Sequence, residues 1–305
     1  MRGIASEIKI LSPKNLKEAL QFLSKENSSK LHWKVLAGAT DLAVEFNAGK
    51  LKHHQLINIW PLRQELNKIK FSKTGVTIGA MATFTEIQND LGINKYFPNL
   101  AAASRLVGGV QIQNRGTIGG NIANASPAGD SLPALLAYDA LLNIQDSDGS
   151  RKIPITEFYR GYKDLNLFPR ELIVSVEIEF KKHGTRHYFR KVGTRQAQAI
   201  SKVVAAGTVQ GKTSIQAVTF CLGSVGPTPL RCEKLEKYLT CPEVELPIRD
   251  RSVIDGARQT VTLDISPQDD IRSTKSYRLF ASQGLVEDFL TSYFRPSRIF
   301  IKDRP

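Results

Sequence analysis

Apolar residues recur along this chain with two different spacings, which predict where helices and strands lie. The first helical stripe consists of Leu16, Ala19, Leu20 and Leu23. This spacing places the side chains on one face of a helix, and we expect Ser12 as its N-cap and Pro13 as its first residue. Residues 171–180 (ELIVSVEIEF) instead alternate apolar and polar positions, which predicts a strand with one buried face.

Similar patterns predict the remaining elements of the chain. In the first part they are a strand at 8–11, a strand, turn and helix across 33–46, a strand at 55–60, a hairpin at 69–80, a helix capped by Thr83 or Thr85, a helix at 100–107, a helix from 131 and a hairpin turning at 146–150. In the second part they are strands at 187–192, 201–209 and 217–222 and helices at 230–239, 253–261 and 276–293.

The basic segment 181–186 (KKHGTR) separates these two parts and favours a domain boundary. We therefore expect an α+β protein with short antiparallel strand pairs rather than regular βαβ units. Its domains are expected at 1–182 and 183–293, followed by a tail at 294–305.

Length and composition are those of an ordinary globular protein. The 305 residues can bury a sizeable core, and 41% of them are hydrophobic while 23% are charged. No apolar run reaches the roughly 20 residues that a transmembrane helix needs, so no membrane partner is expected. The N-terminal residues MRGIASEIKILSP lack the apolar segment of a signal peptide, and a cytoplasmic location is expected.

The net charge of +13 could indicate a nucleic-acid partner. The basic residues are scattered, however, and their densest stretch at 181–195 lacks the regular interleaving of aromatic residues that base stacking requires. We therefore expect no nucleic-acid partner. A solvated basic surface and a docking face for an acidic protein or an anionic ligand both remain open.

Cysteine and histidine positions argue against a metal site or a disulfide framework. The cysteines stand at 221, 232 and 241, an odd number without a CxxC pair. This is not the spacing of a structural zinc site or an iron–sulfur cluster. His183 and His187 have i,i+4 spacing but lie among Lys and Arg without a carboxylate, so we expect no metal there.

The segment 116–130 (GTIGGNIANASPAGD) concentrates glycine and small polar residues. Glycine permits positive φ and a close approach of the backbone, and consecutive N–H groups in a turn can bind an anion. The segment is therefore either a cradle for a diphosphate or a glycine-rich surface loop. The strand–turn–helix segment at 33–46 is open to the same two interpretations, an anion site or an ordinary turn.

Familiar nucleotide and hydrolase motifs do not occur in the sequence. The dinucleotide fingerprint needs G-x-G, and no two glycines of this chain stand two positions apart. Residues 207–213 (GTVQGKT) approach a P-loop, but the motif requires glycine at 206, where this chain has Ala206. Neither G-x-S-x-G nor HExxH occurs. We therefore predict a protein that holds a phosphate-bearing cofactor and has no acid–base catalytic set of its own.

Four segments occur in an order that closely resembles the FAD-binding subunit, or domain, of the molybdenum hydroxylases. They are LAGATDL at 36–42, GTIGGNIANASPAGDSLPALLAYDA at 116–140, ELIVSVEIEF at 171–180 and DIRSTKSYR at 270–278. That family includes xanthine dehydrogenases, aldehyde oxidoreductases and the medium subunit of aerobic carbon monoxide dehydrogenase. The resemblance covers residues 5 to 290, and 116–140 is its most specific part.

The resemblance implies a fold. We expect an FAD-binding domain of the PCMH and vanillyl-alcohol-oxidase (VAO) type, in which two α+β subdomains clasp the cofactor. A C-terminal α+β domain of the CO-dehydrogenase flavoprotein type, with a three-stranded sheet and helices, is expected to pack beside them.

The resemblance also implies which residues hold the FAD diphosphate. Backbone N–H groups are expected to wrap it from Lys34, Val35, Leu36, Ala37, Gly38, Ala39, Thr40, Asp41 and Leu42. The facing half of the cradle is expected from Thr117, Gly119, Gly120 and Asn121. Ala39 departs from the family pattern, in which a second glycine is common at this position.

Further contacts with the cofactor follow from the same resemblance. Ile118 is expected to lie against the flavin, with Val107 and Gly108 nearby. Asp130 matches an aspartate that accepts hydrogen bonds from adenosine or ribityl hydroxyls, and Leu172 and Ile173 match aliphatic contacts to the isoalloxazine or adenine. Lys191 matches a lysine near the flavin, where a cation could stabilise the anionic reduced form.

By this resemblance, the chain is expected to be one subunit of a heterotrimeric oxidoreductase. A molybdopterin-binding large subunit would oxidise the substrate, and a small subunit with two [2Fe–2S] clusters would pass the electrons on. FAD in this chain would deliver them to NAD, O₂ or a quinone. Two alternatives stay open: a flavin-free scaffold or assembly subunit, and a stand-alone FAD-dependent oxidoreductase.

Overall fold

The computed structural model describes residues 8–25, 33–51, 55–195, 198–241, 244, 248 and 250–292. The predicted tail at 294–305 and the last residue of the predicted helix 276–293 lie outside this part of the chain. Within it, the helices are too short or too polar to cross a membrane.

A parallel three-stranded sheet forms first. Its elements are β1 (Lys9–Leu11), α1 (Leu16–Lys25), β2 (Lys34–Leu36), α2 (Leu42–Asn47) and β3 (Gln55–Asn58), followed by a 3₁₀ turn (Trp60–Leu62) and α3 (Arg63–Leu66). β3 lies between β1 and β2 and runs parallel to both, so the prediction of antiparallel pairs throughout is wrong here. The reason is that helices connect the strands, and such crossovers return the chain to the same end of the sheet.

Helix α1 starts later than its sequence predicts. Asn15 caps it, because its side-chain oxygen accepts a hydrogen bond from the N–H of Glu18 at 2.9 Å. Ser12 instead accepts a hydrogen bond from the side chain of Asn58 at 3.2 Å, which ties the segment before the helix to β3. Both residues are of good capping type, and the contact with β3 decides between them. The predicted apolar stripe is confirmed by the burial of Ala19, Leu20 and Leu23.

The second part is built on an antiparallel five-stranded sheet. Its elements are β4 (Ile69–Phe71), β5 (Gly75–Gly79), α4 (Phe84–Asn89), α5 (Leu91–Tyr96), α6 (Pro98–Leu106), α7 (Val110–Gln113), α8 (Ile118–Asn124), α9 (Ser131–Ala137), β6 (Leu141–Gln145), β7 (Ser150–Pro154), α10 (Ile155–Phe158), β8 (Tyr159–Gly161), β9 (Asp164–Leu165) and β10 (Leu172–Glu179). The order is β4-β5-β10-β6-β7, while β8 and β9 pair separately. Both predicted hairpins and the strand within 171–180 are confirmed. Thr83 caps α4 in a capping box with Glu86.

The third part is an antiparallel four-stranded sheet covered by helices. Its elements are β11 (Arg186–Val192), β12 (Val203–Gln210), β13 (Ala217–Gly223), β14 (Leu230–Arg231), α11 (Glu233–Leu239), α12 (Arg251–Thr260) and α13 (Lys275–Ser292). The expectation of three strands misses β14, which adds a fourth strand because Leu230 and Arg231 pair with β13. For the same reason the helix predicted at 230–239 begins only at Glu233.

The third part packs directly on the second. The Asn99 side chain donates to the carbonyl of Gly207 at 2.9 Å in a buried contact. Thr219 donates to the carbonyl of Ala137 at 3.1 Å. Near the surface, Asp139 forms ion pairs with Lys181 at 2.7 Å and with Arg231 at 2.6 Å. These contacts bring the start of β12 close to Asp130 at the end of the glycine-rich segment.

Candidate functional site

The turn 37–41 and the segment 115–121 lie against each other, as the two halves of a cradle require. An added Cβ on Gly38 would be 1.8 Å from the carbonyl oxygen of Arg115, so position 38 requires glycine. An added Cβ on Gly120 would be 3.9 Å from the Cβ of Ala37. The two segments that the sequence singled out are therefore neighbours in space.

Ala39 has a left-handed backbone conformation, with φ of 66°. This conformation costs an L-residue with a side chain about 1–2 kcal/mol, and glycine adopts it without that cost. The geometry thus gives a physical reason for the second glycine of the family pattern. This turn forms with alanine, but under backbone strain.

Unpaired N–H groups line the same turn. In the part of the chain that the structure describes, the backbone N–H groups of Gly38, Ala39, Thr40 and Asp41 have no protein acceptor, and Asp41 leads into α2. Donors at the start of a helix that have no partner in the protein favour binding of an anion. Lys34, Val35 and Leu36 form β2 instead, and pair with β3. Thr40 and Leu42 are partly buried beside the turn.

The glycine-rich segment folds as a helix rather than as an open turn. Thr117 caps α8 by accepting from the N–H of Gly120 at 3.1 Å, and the N–H groups of Ile118 and Gly119 donate to the carbonyls of Ala82 and Ala80. The prediction of a turn of free N–H groups is therefore wrong for residues 118–120. Gly119 serves close packing, because an added Cβ would lie 2.6 Å from the Cβ of Ala80.

Ile118 and Asn121 of α8 are held by two different contacts. Ile118 is fully buried in the core of the second part. The side-chain oxygen of Asn121 accepts from the hydroxyl of Ser131 at 2.7 Å. Ser131 follows Asp130, so Asn121 connects the glycine segment to the buried carboxylate described next.

Asp130 lies at the centre of a buried polar cluster. Its Oδ2 is 2.6 Å from Nζ of Lys191, and both side chains are almost fully buried. Its Oδ1 accepts a hydrogen bond from the hydroxyl of Ser201. Burial raises the pKa of the Asp130 carboxyl, and the charge of Lys191 and the two hydrogen bonds oppose this shift.

Lys191 also connects this cluster to the turn 107–108. Its Nζ donates to the carbonyl of Leu106 at 2.8 Å. Val107 is partly buried against the core, and Gly108 has a φ of 55°, which favours glycine. These two residues are therefore held near Asp130.

Leu172 and Ile173 begin β10 and are nearly fully buried, at 5% and 4% exposure. Leu172 packs in the core of the first part, and Ile173 packs in the core of the second. Their side chains point into different cores, so together they do not form one apolar surface for a ring. They do join the part that carries the turn 37–41 to the part that carries α8.

Two residues near the site have no sequence signal. Ser201 stands in an ordinary apolar stretch, and only the fold brings its hydroxyl to Asp130. Lys163 donates to the backbone and side-chain oxygens of Asn124 at 2.6 and 2.9 Å. Burial lowers the pKa of Lys163, and the nearby carboxylates of Asp41 and Glu45 oppose this shift. Lys163 therefore adds positive charge beside the turn 37–41.

The fold and the site define an α+β protein of three parts, in which the turn 37–41 of the first part lies against the glycine-rich segment of the second. Residues 6–179 match the family described as the FAD binding domain in molybdopterin dehydrogenase. Residues 187–293 match the CO dehydrogenase flavoprotein C-terminal domain. The chain belongs to this family of FAD-binding oxidoreductase subunits, which confirms the resemblance, the fold class and FAD as the cofactor.

Curated relatives agree over most of their length. The nicotinate dehydrogenase FAD-subunit of Eubacterium barkeri is 31% identical over 265 residues, which cover 83% of this chain and 88% of the relative. The xanthine dehydrogenase FAD-binding subunit of Escherichia coli O157:H7 is 28% identical over 281 residues, with coverage of 90% and 92%.

Solved structures show the same fold. A chain of quinoline 2-oxidoreductase from Pseudomonas putida 86 superposes with a TM-score of 0.85 at 22% identity, covering 96% of this chain and 98% of that one. A chain of carbon monoxide dehydrogenase from Hydrogenophaga pseudoflava gives a TM-score of 0.84 at 24% identity, with coverage of 92% and 94%.

Proposed function

We propose that this chain binds FAD between the turn 37–41 and α8 and relays electrons through it. The electrons would come from a [2Fe–2S] subunit and leave to NAD or another acceptor. One observation carries the proposal: the turn 37–41, whose N–H groups at 38–41 have no acceptor among the described residues, lies against the glycine segment, within the part of the chain that matches an FAD-binding domain.

The residues present fit a dinucleotide cofactor. The N–H groups of Gly38, Ala39, Thr40 and Asp41 would hold the diphosphate, and Lys163 would add positive charge nearby. The Asp130 carboxylate would accept hydrogen bonds from hydroxyls of the cofactor. When bound, FAD accepts single electrons and releases them singly or in pairs, which suits a link between iron–sulfur clusters and a final acceptor.

The other residues of the site keep supporting roles in this proposal. Thr117 would hold α8 against the turn, and Gly119 and Gly120 would allow the close approach of the two halves. Asn121 would connect α8 to the Asp130 cluster. Ile118, Val107, Gly108, Leu172 and Ile173 would shape the apolar side of the flavin site through the packing of the elements that carry them.

The charge of Lys191 is compensated within the protein. Its ion pair with Asp130 at 2.6 Å makes the two groups a nearly neutral unit. We therefore propose that Lys191 influences the reduced flavin mainly by holding Asp130 and the turn 107–108. A lysine in this place without a carboxylate partner would act more strongly on the anionic flavin.

Partners are proposed by analogy with the relatives, whose names describe them as FAD subunits of dehydrogenases. We propose a molybdopterin-binding large subunit and a small subunit with two [2Fe–2S] clusters as partners, in a cytoplasmic complex. The matched ranges 6–179 and 187–293 support domains at 1–182 and 183–293. With a net charge of +13, the chain would dock the iron–sulfur subunit partly through charge, so this binding should weaken as salt rises.

The proposal is tested by measuring whether the purified protein contains a flavin and which flavin it is. The full chain should purify yellow and release FAD rather than FMN on denaturation, and Asp130→Asn should lower the flavin content. Asp148→Asn, in the exposed turn between β6 and β7, is the matched control and should keep it. A colourless wild-type protein that takes up no added FAD would refute the proposal and favour a flavin-free scaffold.

A further inference from the structure

Both oxygens of the Asp130 carboxylate are occupied by protein donors. Lys191 binds Oδ2 at 2.6 Å, and the hydroxyl of Ser201 binds Oδ1. Ser201 is 1% exposed, so no solvent competes for this hydrogen bond. A carboxylate held at one oxygen can still rotate, whereas two donors on different elements fix its plane.

Ser201 is itself held in place from its backbone. Its carbonyl accepts a hydrogen bond from the hydroxyl of Ser224 at 3.0 Å. Ser224 has a φ of 67°, and its N–H donates to the carbonyl of Pro127 at 2.8 Å. Ser224 therefore links Ser201 to Pro127, in the glycine-rich segment just after the end of α8.

The segment DIRSTKSYR supplies the last link. Arg278 is 6% exposed, and its Nη1 donates to the carbonyl of Ser224. Its Nη2 donates to Asp270 at 2.8 Å, and Asp270 also accepts from the N–H groups of Arg272 and Ser273. The motif thus folds on itself and presents one guanidinium to Ser224. Its resemblance to the family implied no role for it, and these contacts suggest one.

We propose that Ser201 is a positioning residue for the Asp130 carboxylate at the FAD site, supported through Ser224 by Arg278 of α13. This rests on the proposed function. The continuous set of hydrogen bonds Arg278–Ser224–Ser201–Asp130 connects the C-terminal domain to a group that faces the cofactor. The C-terminal domain therefore contributes to cofactor binding through Ser201 and Lys191, which both bind Asp130.

An ordinary buried serine would show similar burial and a similar hydrogen bond, so loss of stability alone does not test the proposal. The distinguishing property is dependence on Asp130. If Ser201 acts by orienting that carboxylate, its removal matters while residue 130 is aspartate and ceases to matter once the carboxylate is gone.

The experiment measures the dissociation constant of FAD for the full-length apo-protein by quenching of flavin fluorescence. Ser201→Ala should weaken binding about tenfold, the value of one hydrogen bond to a charged group. In an Asp130→Asn background the same change should cost less than about twofold. Ser201→Thr keeps the hydroxyl and should restore binding to within about threefold of wild type.

Ser104→Ala is the matched control, because Ser104 is similarly buried but donates to the carbonyl of Leu100 within α6, outside this set of hydrogen bonds. It should leave FAD affinity unchanged in both backgrounds. Should Ser201→Ala fail to fold, Ser224→Gly removes the supporting hydroxyl while suiting the positive φ, and it should weaken binding in the same Asp130-dependent way.

Equal losses in both backgrounds, or no loss in either, would overturn the positioning role while leaving FAD binding intact. Absence of FAD binding by the wild-type apo-protein would instead refute the proposed function.

Discussion

The carbonyl oxygen of Arg115 lies against Gly38, so close that a Cβ on residue 38 would be 1.8 Å from it. The side chain of Arg115 stacks on Trp60, with the guanidinium carbon 3.7 Å from the ring centroid. Trp60 follows β3, and Arg115 precedes α8. This pair of contacts therefore sets the spacing between the first and second sheets at the proposed diphosphate site.

Gly38→Ala is expected to force the turn 37–41 away from Arg115. A side chain added to a closely packed site costs about 1–3 kcal/mol, and here the displaced atoms are backbone. We expect the variant to retain much less FAD on purification, and to have a lower melting temperature even without flavin. Flavin absorbance per protein and thermal unfolding of the apo-protein measure the two effects.

Gly149→Ala provides the comparison for this variant. Gly149 lies in the turn between β6 and β7, where an added Cβ would have no heavy atom within 4 Å. Flavin content and melting temperature should stay at wild-type values. If Gly38→Ala behaved the same way, the close contact between residues 38 and 115 would be disproved.

Gly38 and the segment 116–130 could be predicted from sequence, because close backbone approach leaves a local mark in the residue type. That the segment 118–120 forms a helix packed on another part of the chain could not be predicted from sequence. Gly119 packs against Ala80, and the N–H groups of Ile118 and Gly119 donate to the carbonyls of Ala82 and Ala80, which follow β5 about 40 residues earlier in the chain. The contacts of Ser201 with Asp130 and of Ser224 with Pro127 form only when the third part packs on the second, and no sequence pattern near either serine indicates them. Local chemistry was therefore predictable, whereas contacts between distant segments were not.

Ala39→Gly is expected to relieve the strain in the turn. Glycine adopts the φ of 66° without a steric cost but loses more entropy on folding, which leaves a net gain of about 0.5–1 kcal/mol. Urea unfolding of the apo-protein should show this gain. Ala43→Gly, one turn later within α2, should lose about 1 kcal/mol instead, because glycine is unfavourable in a helix. A loss of stability in Ala39→Gly would contradict the assigned backbone conformation.

Two helical glycines are expected to respond to alanine in opposite directions. Gly284 lies in the middle of α13, and an added Cβ there would touch no heavy atom within 4 Å. Gly284→Ala should therefore raise the free energy of unfolding by about 0.5–1 kcal/mol. Gly256 in α12 is packed under Tyr238, whose hydroxyl would lie 2.2 Å from an added Cβ. Gly256→Ala should be destabilising, and chemical unfolding of both variants would reveal whether the signs differ.

His187 connects β11 to the second part of the chain through Tyr138. Its Nδ1 is 3.0 Å from the hydroxyl of Tyr138, which also accepts a hydrogen bond from the N–H of Asn99 at 3.1 Å. The hydroxyl proton of Tyr138 can therefore be donated to a neutral His187. Burial lowers the pKa of His187 to about 4, and the charge of Lys181 acts in the same direction.

This histidine should make the protein less stable as the pH falls below its unfolded pKa of 6.5. Between pH 6.5 and about 4 the unfolded chain binds the proton and the folded chain does not, so acid favours unfolding. Between pH 7 and pH 5 the contribution of His187 should fall by roughly 2 kcal/mol. His187→Gln, which keeps an acceptor for Tyr138, should reduce the difference in urea unfolding free energy between these two pH values by that amount. His183→Gln changes an exposed histidine of the same segment and should leave the difference unchanged. Equal pH dependence in wild type and His187→Gln would show that His187 is not neutral in the folded protein.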